Sequence, residues 1–383
     1  MEIYLDNAAT TRVDENVLEE VNLFCKKYYA NASSHHSMGV EVREKIEEAR
    51  KKIAKLINAE AEEIIFTSGG TESNNFAIKG LALANPKKKH IITSVIEHPS
   101  VLETCRTLEK QGYKVDYIGV DKQGIVNIKE IEKRISKDTL LVTIMHVNNE
   151  IGTIQPLKEI GEICKKKNVY FHSDCVQSFK KLEIDVSSMN LDLISVSGHK
   201  INALKGIGFL YVRLGTRIKP FIDGGGQEFK LRSGTENTYG IMSLSKAIEI
   251  DNNEQKIKEC RDYLISELKK IKATRINGSL DKRIYNNVNV SFYGIEGESL
   301  MLLLNEDGII VSTGSACSSV SLEESYVLSS INIDMLYIHG SIRLSLGRDI
   351  DLDKCKFVVD KIKERVEQLR KISPFKVEDI EDE

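Results

Sequence analysis

One lysine of this sequence stands where an amine could do covalent chemistry. Lys200 lies in "SVSGHKI" (195–201), directly after a β-rich apolar run. Lysine is seldom buried without a partner, and a desolvated lysine with a lowered pKa is the group that condenses with a carbonyl to form a Schiff base. The alternative is a solvated surface lysine, so the choice between the two interpretations depends on the other residues of the site.

An anion site is the second feature of this kind. The stretch "SGGTES" (68–73) follows "EIIFT" and opens a helical pattern. Its two glycines let the backbone approach a ligand, and free amides at a helix N-terminus bind anions. The alternative is a plain capping turn with Thr71 or Ser73 as the cap.

A carboxylate follows another strand-like run. In "HSDCVQS" (172–178), Asp174 comes at the end of the run and Gln177 one helical turn later. Asp174 either caps the next helix or faces a cationic group of a buried ligand, where a charge-assisted hydrogen bond is strong.

An anion site, a carboxylate and a Schiff-base lysine are together what pyridoxal 5'-phosphate requires: a phosphate site, an acid for the pyridinium nitrogen and an amine for the aldehyde. His98 in "IEHPS" follows the run at 90–96 and could lie flat on a planar ring. Its alternative role is that of a core histidine whose hydrogen bonds are satisfied.

Seven cysteines are dispersed through the chain without a CxxC pair: Cys25, Cys105, Cys164, Cys175, Cys260, Cys317 and Cys355. The odd number and the spacing argue against a disulfide framework and against a zinc ribbon, so no metal site is expected. Most of these cysteines are expected to be small buried hydrophobes. Cys317 differs because it lies in "STGSACSS" (312–319), a small, polar stretch typical of a loop.

Composition limits the partners. Lys and Arg number 54 against 57 Asp and Glu, a net charge of −3, so the chain has no basic excess for binding nucleic acid. No apolar run approaches the roughly 18 residues of a membrane span, and the first residues lack a signal-peptide pattern. We therefore expect a cytoplasmic protein that binds neither nucleic acid nor membrane.

The order of elements predicts an α/β protein. Helical patterns alternate with strand-like runs at 63–67, 90–96, 114–120, 140–147, 169–173, 193–197 and 206–212. Such alternation predicts a seven-stranded, mostly parallel sheet covered by helices on both faces, and ligands of such sheets bind at the carboxyl ends of the strands.

After about residue 245 the pattern changes to a mixture of helices and short strands, which predicts a smaller α+β domain. The predicted division is an N-terminal segment near the site (1–15), a large cofactor-binding domain (16–245), a small domain carrying the Cys317 loop (246–373) and an acidic tail (374–383).

Motifs from residue 4 to residue 348 resemble those of the cysteine desulfurases, pyridoxal phosphate enzymes of fold type I in the class V aminotransferase group. The matching stretches are "YLDNAATT" (4–11), "NASSHHSMG" (31–39), "FTSGGTESNN" (66–75), "EHPS" (97–100), "HVNNEIGTIQP" (146–156), "HSDCVQS", "SGHK", "KGIGFLYVR" (205–213), "GGGQEFKLRSGTEN" (224–237), "STGSACSS" and "SIRLSLGR" (341–348). They cover nearly the whole chain.

The resemblance implies a role for each matching residue. Lys200 would hold the cofactor as a Schiff base and move the substrate's Cα proton, Asp174 would pair with the pyridinium nitrogen, and His98 would stack on the ring. The residues implied for the rest of the site are Asn149 and Gln177 for the ring oxygen, Gly70, Thr71, Ser197 and His199 for the phosphate, Thr235 from the other subunit of a homodimer, Arg343 for the substrate carboxylate and Asn7 near the substrate.

The implied reaction transfers sulfur from L-cysteine to Cys317 as a persulfide and releases alanine, with a sulfur-acceptor protein such as an iron–sulfur scaffold as the partner. The sequence departs from the family pattern after Lys200, where Asn202, Ala203 and Leu204 replace the customary Tyr-Gly-Pro, and at Ala32, which replaces a proline. The alternatives are a selenocysteine lyase, an aminotransferase, or a cofactor-poor relative acting as a sulfur carrier or docking protein.

Overall fold

The structure is a computed structural model that describes residues 2–313 and 324–376. Within these ranges the strands are β1 (Ile3–Tyr4), β2 (Ile64–Thr67), β3 (His90–Ser94), β4 (Lys114–Ile118), β5 (Thr139–Thr143), β6 (Tyr170–Asp174), β7 (Leu193–Ser197), β8 (Gly208–Val212), β9 (Thr274–Ile276), β10 (Asn287–Phe292), β11 (Ile309–Ile310) and β12 (Ser341–Ser345).

The helices of the same ranges are α1 (Glu15–Lys27), α2 (Ser37–Leu56), α3 (Gly70–Ala84), α4 (Pro99–Glu109), α5 (Ile128–Arg134), α6 (Leu157–Lys167), α7 (Gln227–Lys230), α8 (Thr238–Ala247), α9 (Glu254–Leu268), α10 (Gly297–Glu306), α11 (Tyr326–Ser330), α12 (Met335–Ile338) and α13 (Leu352–Ile372). None of them is both long and apolar enough to cross a membrane.

A seven-stranded sheet in the order β2-β8-β7-β6-β5-β3-β4 forms the centre of the fold. The pairs from β7 to β4 are parallel, whereas β8 runs antiparallel to both β7 and β2. The predicted fold class is confirmed, and each predicted strand overlaps an observed one. The carboxyl ends of β6 and β7 therefore lie at the same edge, which brings Asp174 and Ser197 together.

Apolar residues alternate between the two faces of this sheet. Ile64 and Phe66 of β2 belong to a core beneath α1, α2 and α8, while Ile65 between them belongs to a second core beneath α3 and α4. Successive side chains of a strand point to opposite faces, so the apolar runs bury both sides. Helices thus cover the sheet on both faces.

The later part of the chain has its own core. The antiparallel sheet β12-β10-β9 packs with α9, α10 and α13 in a third apolar cluster, which buries Cys260 and Cys355. Strand β9 and the short helices α11 and α12 were not predicted, because segments of three to five residues are too short to show a period.

The N-terminal residues join this third cluster. Strand β1 pairs in parallel with β11, and Ile3 and Leu5 are buried in the cluster formed with α9, α10 and α13. Residues 1–15 were predicted as a segment near the site, and the described part of that segment connects the core of the small sheet with the edge of the large one. The division of the chain into domains remains a prediction.

A buried ion pair fixes the turn at α7. Arg50 of α2 donates to both carboxylate oxygens of Glu228 at 2.8 Å, and the amide of Phe66 donates to the same carboxylate at 2.7 Å. Glu228, Phe229 and Lys230 all have left-handed φ values, of 44°, 57° and 65°. Non-glycine residues adopt this region only at a cost of about 1 kcal/mol or more each, so the ion pair holds a strained turn.

Replacing Arg50 with methionine is expected to lower the free energy of unfolding by about 3–5 kcal/mol, because Glu228 would be left as an uncompensated buried charge. Urea denaturation measures the change. Lys52→Met is the control, since Lys52 of the same helix pairs with Glu249 at the surface, with side chains 54% and 41% exposed, and should change stability by less than about 1 kcal/mol. Equal effects of the two variants would contradict the prediction.

Candidate active site

A cavity of about 460 Å³ lies at the carboxyl ends of the central strands. Ten of the residues singled out in the sequence line it: Gly70, Thr71, His98, Asn149, Asp174, Gln177, Ser197, His199, Lys200 and Arg343. The fold thus brings together side chains from β6, β7, β12 and the turns that follow β2 and β3. Such an edge of an α/β sheet is the usual place for a ligand.

Three of the predicted residues are not among those that line this cavity. The Asn7 side chain donates to the carbonyl oxygens of Ser345 at 2.9 Å and Tyr4 at 3.3 Å. Thr235 is exposed on the surface of this chain. Cys317 lies outside the described residues. The roles of all three remain predictions.

Lys200 is held at the cavity by the N-terminal segment. It ends a 3-10 turn, Gly198–Lys200, that continues directly from β7, and its Nζ donates to the carbonyl oxygens of Ala8 and Ala9, both at 2.5 Å. A side chain at Gly198 would come within 2.9 Å of Ile207 Cγ2, so the turn requires glycine. The amine that could form a Schiff base therefore faces the cavity from a rigid strand end.

Asp174 lies in the cavity lining, and a turn rather than a helix follows it, so the predicted role as a helix cap is wrong. Its Oδ1 accepts from the Val176 amide of that turn at 3.0 Å, while its Oδ2 accepts from Asn74 Nδ2 at 2.6 Å. Pairing with a cationic ligand group remains a prediction. Asn74 also donates to Ser100 Oγ at 2.8 Å. Asn74 was not singled out in the sequence, where it is one of two adjacent asparagines in a helix.

His98 caps α4 and lines the cavity beside Asp174. Its Nδ1 lies 2.8 Å from Ser100 Oγ, and the Ser100 amide donates to it at 3.1 Å. Burial lowers the pKa of His98, and the charge of Lys200 acts in the same direction, while that of Asp174 opposes them. An imidazole that stays neutral near pH 7 can pack on an aromatic ring without adding charge to it.

The anion site is better supported than the alternative capping turn. Gly69 occupies the N-cap position of α3, and no side-chain bond caps the helix there. A second cavity of about 420 Å³ adjoins this helix end, and Gly70, Thr71, Ser197, His199 and Lys205 are among its lining residues. Burial lowers the pKa of His199 to about 4, with Lys200 and Lys205 adding to the shift. The ring is therefore neutral at pH 7.

Arg343 is almost fully buried, with only 2% of the residue exposed. Its Nη1 donates to the carbonyl oxygen of Asn149 at 3.1 Å and its Nη2 to Asp6 Oδ1 at 2.8 Å, while its Nε has no partner among the described residues. A buried guanidinium with unused donors suits the fork-like binding of a carboxylate. Asp6 was missed in the sequence, although it precedes Asn7.

Described residues before and after Cys317 in the chain are bonded to this site. Ser312 forms an antiparallel bridge with Arg343, and Ser325 Oγ donates to Glu150 Oε2 at 2.6 Å. Glu150 lines the main cavity and is fully buried, and burial raises its pKa to about 7. Described residues before and after Cys317 are therefore bonded to residues of the site.

The thiols described by the structure are poorly suited to act as nucleophiles. Cys105, Cys164, Cys175, Cys260 and Cys355 are buried, and burial raises the pKa of each. Cys175 directly follows Asp174, but its pKa is raised to about 12. Only the thiolate attacks, so these cysteines are inert near neutral pH. Cys25 on α1 is half-buried and does not line the cavity.

Glu97 is a buried acid beneath the site that the sequence did not single out. Its Oε1 accepts from Ser94 Oγ at 2.6 Å and from the Met145 amide at 2.9 Å, whereas its Oε2 has no partner among the described residues. Burial raises its pKa to about 8, and these hydrogen bonds act in the opposite direction. The folded protein therefore holds Glu97 protonated at neutral pH.

This acid gives the stability a specific pH dependence. The folded carboxyl keeps its proton up to about pH 8, while the unfolded one loses it above about pH 4.5, so its stabilising effect is complete below pH 4.5 and disappears as the pH rises to 8. Glu97→Gln is expected to remove this decline, roughly 3–5 kcal/mol in unfolding free energy over that range. Urea denaturation from pH 5 to pH 8 measures it. The exposed Glu132→Gln is the control, and parallel profiles of wild type and Glu97→Gln would contradict the prediction.

Comparison with known proteins identifies the family. The model of the family described as aminotransferase class-V matches residues 3–355, which is most of the chain. This chain belongs to the aminotransferase class-V family. A protein named cysteine desulfurase IscS from Dictyoglomus turgidum is 49% identical to this family member over 98% of each chain. The resemblance to cysteine desulfurases inferred from the sequence is thereby confirmed.

Solved structures agree with this family assignment. One structure, described as a NifS-like protein, is 40% identical to this chain with a TM-score of 0.91. The alignment covers 96% of this chain and 100% of that protein. Another, described as SspA in complex with cysteine, is 38% identical with a TM-score of 0.82, over 91% of this chain and 99% of its own.

The loop after Lys200, which departs from the family pattern, is held by hydrogen bonds in this class-V chain. Asn202 has a left-handed φ of 68°, which asparagine tolerates better than most residues. Its backbone amide donates to Thr11 Oγ1 at 2.8 Å, and its Nδ2 donates to the Arg12 carbonyl oxygen at 2.8 Å. Ala203 is fully buried. The loop is thus fastened to the N-terminal segment without the customary Tyr-Gly-Pro.

Proposed function

We propose that this protein is a cysteine desulfurase that depends on pyridoxal 5'-phosphate and takes sulfur from L-cysteine. The observation that carries the proposal is one cavity lined by Lys200, Asp174, His98 and Arg343. Ser312 and Ser325, which precede and follow Cys317 in the chain, are bonded to residues of the same site.

The residues present fit pyridoxal phosphate. An amine, a carboxylate and an uncapped helix N-terminus face one cavity, and Arg343 Nε and Asn74 Oδ1 are buried polar atoms without partners among the described residues. Lys200 would hold the aldehyde, Asp174 the ring nitrogen, and Asn149 and Gln177 the ring oxygen. Gly70, Thr71, Ser197 and His199 would hold the phosphate. When bound, the cofactor supplies an electron sink for charge that develops on the substrate's Cα.

The chain's own residues would do the remaining work. Arg343 binds the substrate carboxylate through its unused donors, and Lys200 moves the proton of Cα. The Cys317 thiolate attacks the substrate sulfur, so that an S–S bond forms as the C–S bond breaks. Cysteine and the Cys317 thiol become alanine and a Cys317 persulfide, with no external oxidant or reductant in this half of the reaction. A thiol then passes the sulfur on.

The partners and the setting belong to the same proposal. L-cysteine is the substrate, a homodimer supplies Thr235 to the neighbouring site, and a sulfur-acceptor protein such as an iron–sulfur scaffold takes the persulfide sulfur. The cytoplasm is the proposed location. The name of the relative, cysteine desulfurase, supports the substrate, and the single cysteine in "STGSACSS" supports the site of the persulfide.

Product analysis tests the proposal. The protein loaded with pyridoxal phosphate is incubated with L-cysteine, alanine is quantified, and mass spectrometry locates any added sulfur. We expect alanine and a mass increase of one sulfur on the peptide that contains Cys317. Transfer of the amino group to a keto acid would instead indicate an aminotransferase, and turnover confined to selenocysteine would indicate a selenocysteine lyase. A protein that binds no cofactor would indicate a carrier or docking role.

A further inference from the structure

The most informative contact outside the proposed catalytic residues lies at the edge of the phosphate site. Glu72 is in the first turn of α3, immediately after Thr71, and it lines the cavity that adjoins the helix N-terminus. A carboxylate at this place is unexpected, because its negative charge opposes the binding of a phosphate a few atoms away.

Arg232 neutralises that charge. Its Nε donates to Glu72 Oε1 at 2.9 Å and its Nη2 approaches Glu72 Oε2 at 3.4 Å, and the Ser68 amide donates to Oε2 at 2.9 Å. The side chains of Arg232 and Glu72 are only 22% and 10% exposed. Although burial alone would raise it, the pKa of Glu72 is lowered by Arg232 and Ser68, so the pair is ionic at neutral pH.

Few other cations can offset Glu72 among the described residues that line this second cavity. His199 is neutral near pH 7, and the exposed Lys205 is the remaining basic residue of that lining. A partly buried ion pair is screened by water and salt less than a surface pair. By neutralising Glu72, Arg232 therefore influences the affinity of this site for an anion.

Arg232 is itself held rigidly. It follows α7, whose Glu228 is fixed by Arg50 and by the amide of Phe66, two residues before Ser68. It also forms a parallel bridge with Ile222. The strained turn at Glu228 and the ion pair at Arg232 thus connect one segment to both sides of the glycine turn between β2 and α3.

We propose that Arg232 is a positioning residue that neutralises Glu72 and thereby allows the N-terminus of α3 to bind the dianionic phosphate of the cofactor. The inference rests on the proposed function for the identity of the cofactor, but its chemistry concerns any phosphate at this site. Arg232 acts through Glu72.

A comparison of two aldehydes tests the proposal. Pyridoxal phosphate and pyridoxal both react with Lys200, but pyridoxal lacks the phosphate, so the ratio of their dissociation constants isolates the phosphate site. Visible absorbance titrations of the apoprotein measure both constants. Arg232→Met is expected to weaken pyridoxal phosphate about tenfold, because it leaves Glu72 unpaired, and to change the affinity for pyridoxal less than about twofold.

A second substitution separates electrostatics from folding. In Arg232→Met combined with Glu72→Gln, the unpaired charge is gone, and the affinity for pyridoxal phosphate should return to within about threefold of wild type. Glu72→Gln alone should bind it at least as tightly as wild type. Arg365→Met is the matched control, since Arg365 makes a similar pair with Asp307, with side chains 19% and 11% exposed, and neither residue lines either cavity.

Several outcomes would overturn the inference. Equal weakening of both aldehydes in Arg232→Met would show a merely structural role, and a double variant no better than the single one would exclude neutralisation of Glu72. If the wild type binds neither aldehyde, the proposed function is wrong, and protection against thermal unfolding by inorganic phosphate then decides the inference in the same variants. Loss of that protection in Arg232→Met and its return in the double variant support it, and equal protection in all of them contradicts it.

Discussion

Replacing Lys200 with alanine is expected to abolish the visible absorption of pyridoxal phosphate bound to the protein and to reduce alanine formation by at least about 10³-fold. The amine both holds the cofactor covalently and moves the Cα proton, and proton transfer alone contributes about 10²–10⁴-fold to a rate. The Nζ of Lys200 lies at the cavity, within 2.5 Å of the carbonyl oxygens of Ala8 and Ala9. Absorbance spectra after reconstitution and a coupled alanine assay measure the two effects.

Lys181 provides a demanding control for this prediction. Its Nζ is buried without a hydrogen-bond partner among the described residues, and burial lowers its pKa to about 7, with the charge of Lys200 adding to the shift. Its neutral amine is also a nucleophile, but Lys181 does not line the cavity. Lys181→Met should therefore keep the absorption band. Retention of the band in Lys200→Ala and its loss in Lys181→Met would show that Lys181, and not Lys200, forms the Schiff base.

Replacing Cys317 with alanine is expected to leave cofactor binding intact while sulfide release from cysteine in the presence of a reductant falls at least about 100-fold. None of the described cysteines combines exposure with a place at the cavity, because the buried ones have raised pKa values and Cys25 lies on α1. Since the thiolate is the attacking species, a buried thiol cannot replace it.

Cys25→Ala is the matched control, because it removes the one described cysteine that is not buried. It should retain both the persulfide and the rate of the wild type. Unchanged sulfide release in Cys317→Ala would refute the assignment of the nucleophile, and loss of the absorption band in that variant would show that the substitution acts through the cofactor site instead.

Local patterns predict the strands and the residues at their ends well. Apolar runs mark the strands. Asp174 is the last residue of β6 and Lys200 ends the turn after β7, and both therefore lie at the carboxyl edge of the sheet, where ligands bind. The reversed direction of β8 cannot be read from its sequence, because a buried strand is apolar in either direction.

Other parts of the site depend on distant contacts and have no local signature. Glu97 and Glu150 look like ordinary loop acids in the sequence, and only their complete burial gives them raised pKa values. Asp6 becomes notable only because β12 carries Arg343 to it, 337 positions later in the chain. The sequence likewise does not show that the Asn7 side chain donates to the Ser345 carbonyl oxygen, and a place of Asn7 near the substrate remains a prediction.

The pairing of β1 with β11 determines when the site can form during synthesis of the chain. Ile3 is a sheet partner of Ile309, so the segment whose Ala8 and Ala9 carbonyls hold Lys200 is locked in place only after more than three hundred residues have been made. Contacts of such separation form late, because closing a long loop is entropically costly. A nascent chain can therefore expose Lys200 to aldehydes before its N-terminal carbonyls are in position. The pairing of β1 with β11 thus completes the contacts of Lys200 only after most of the chain has been translated.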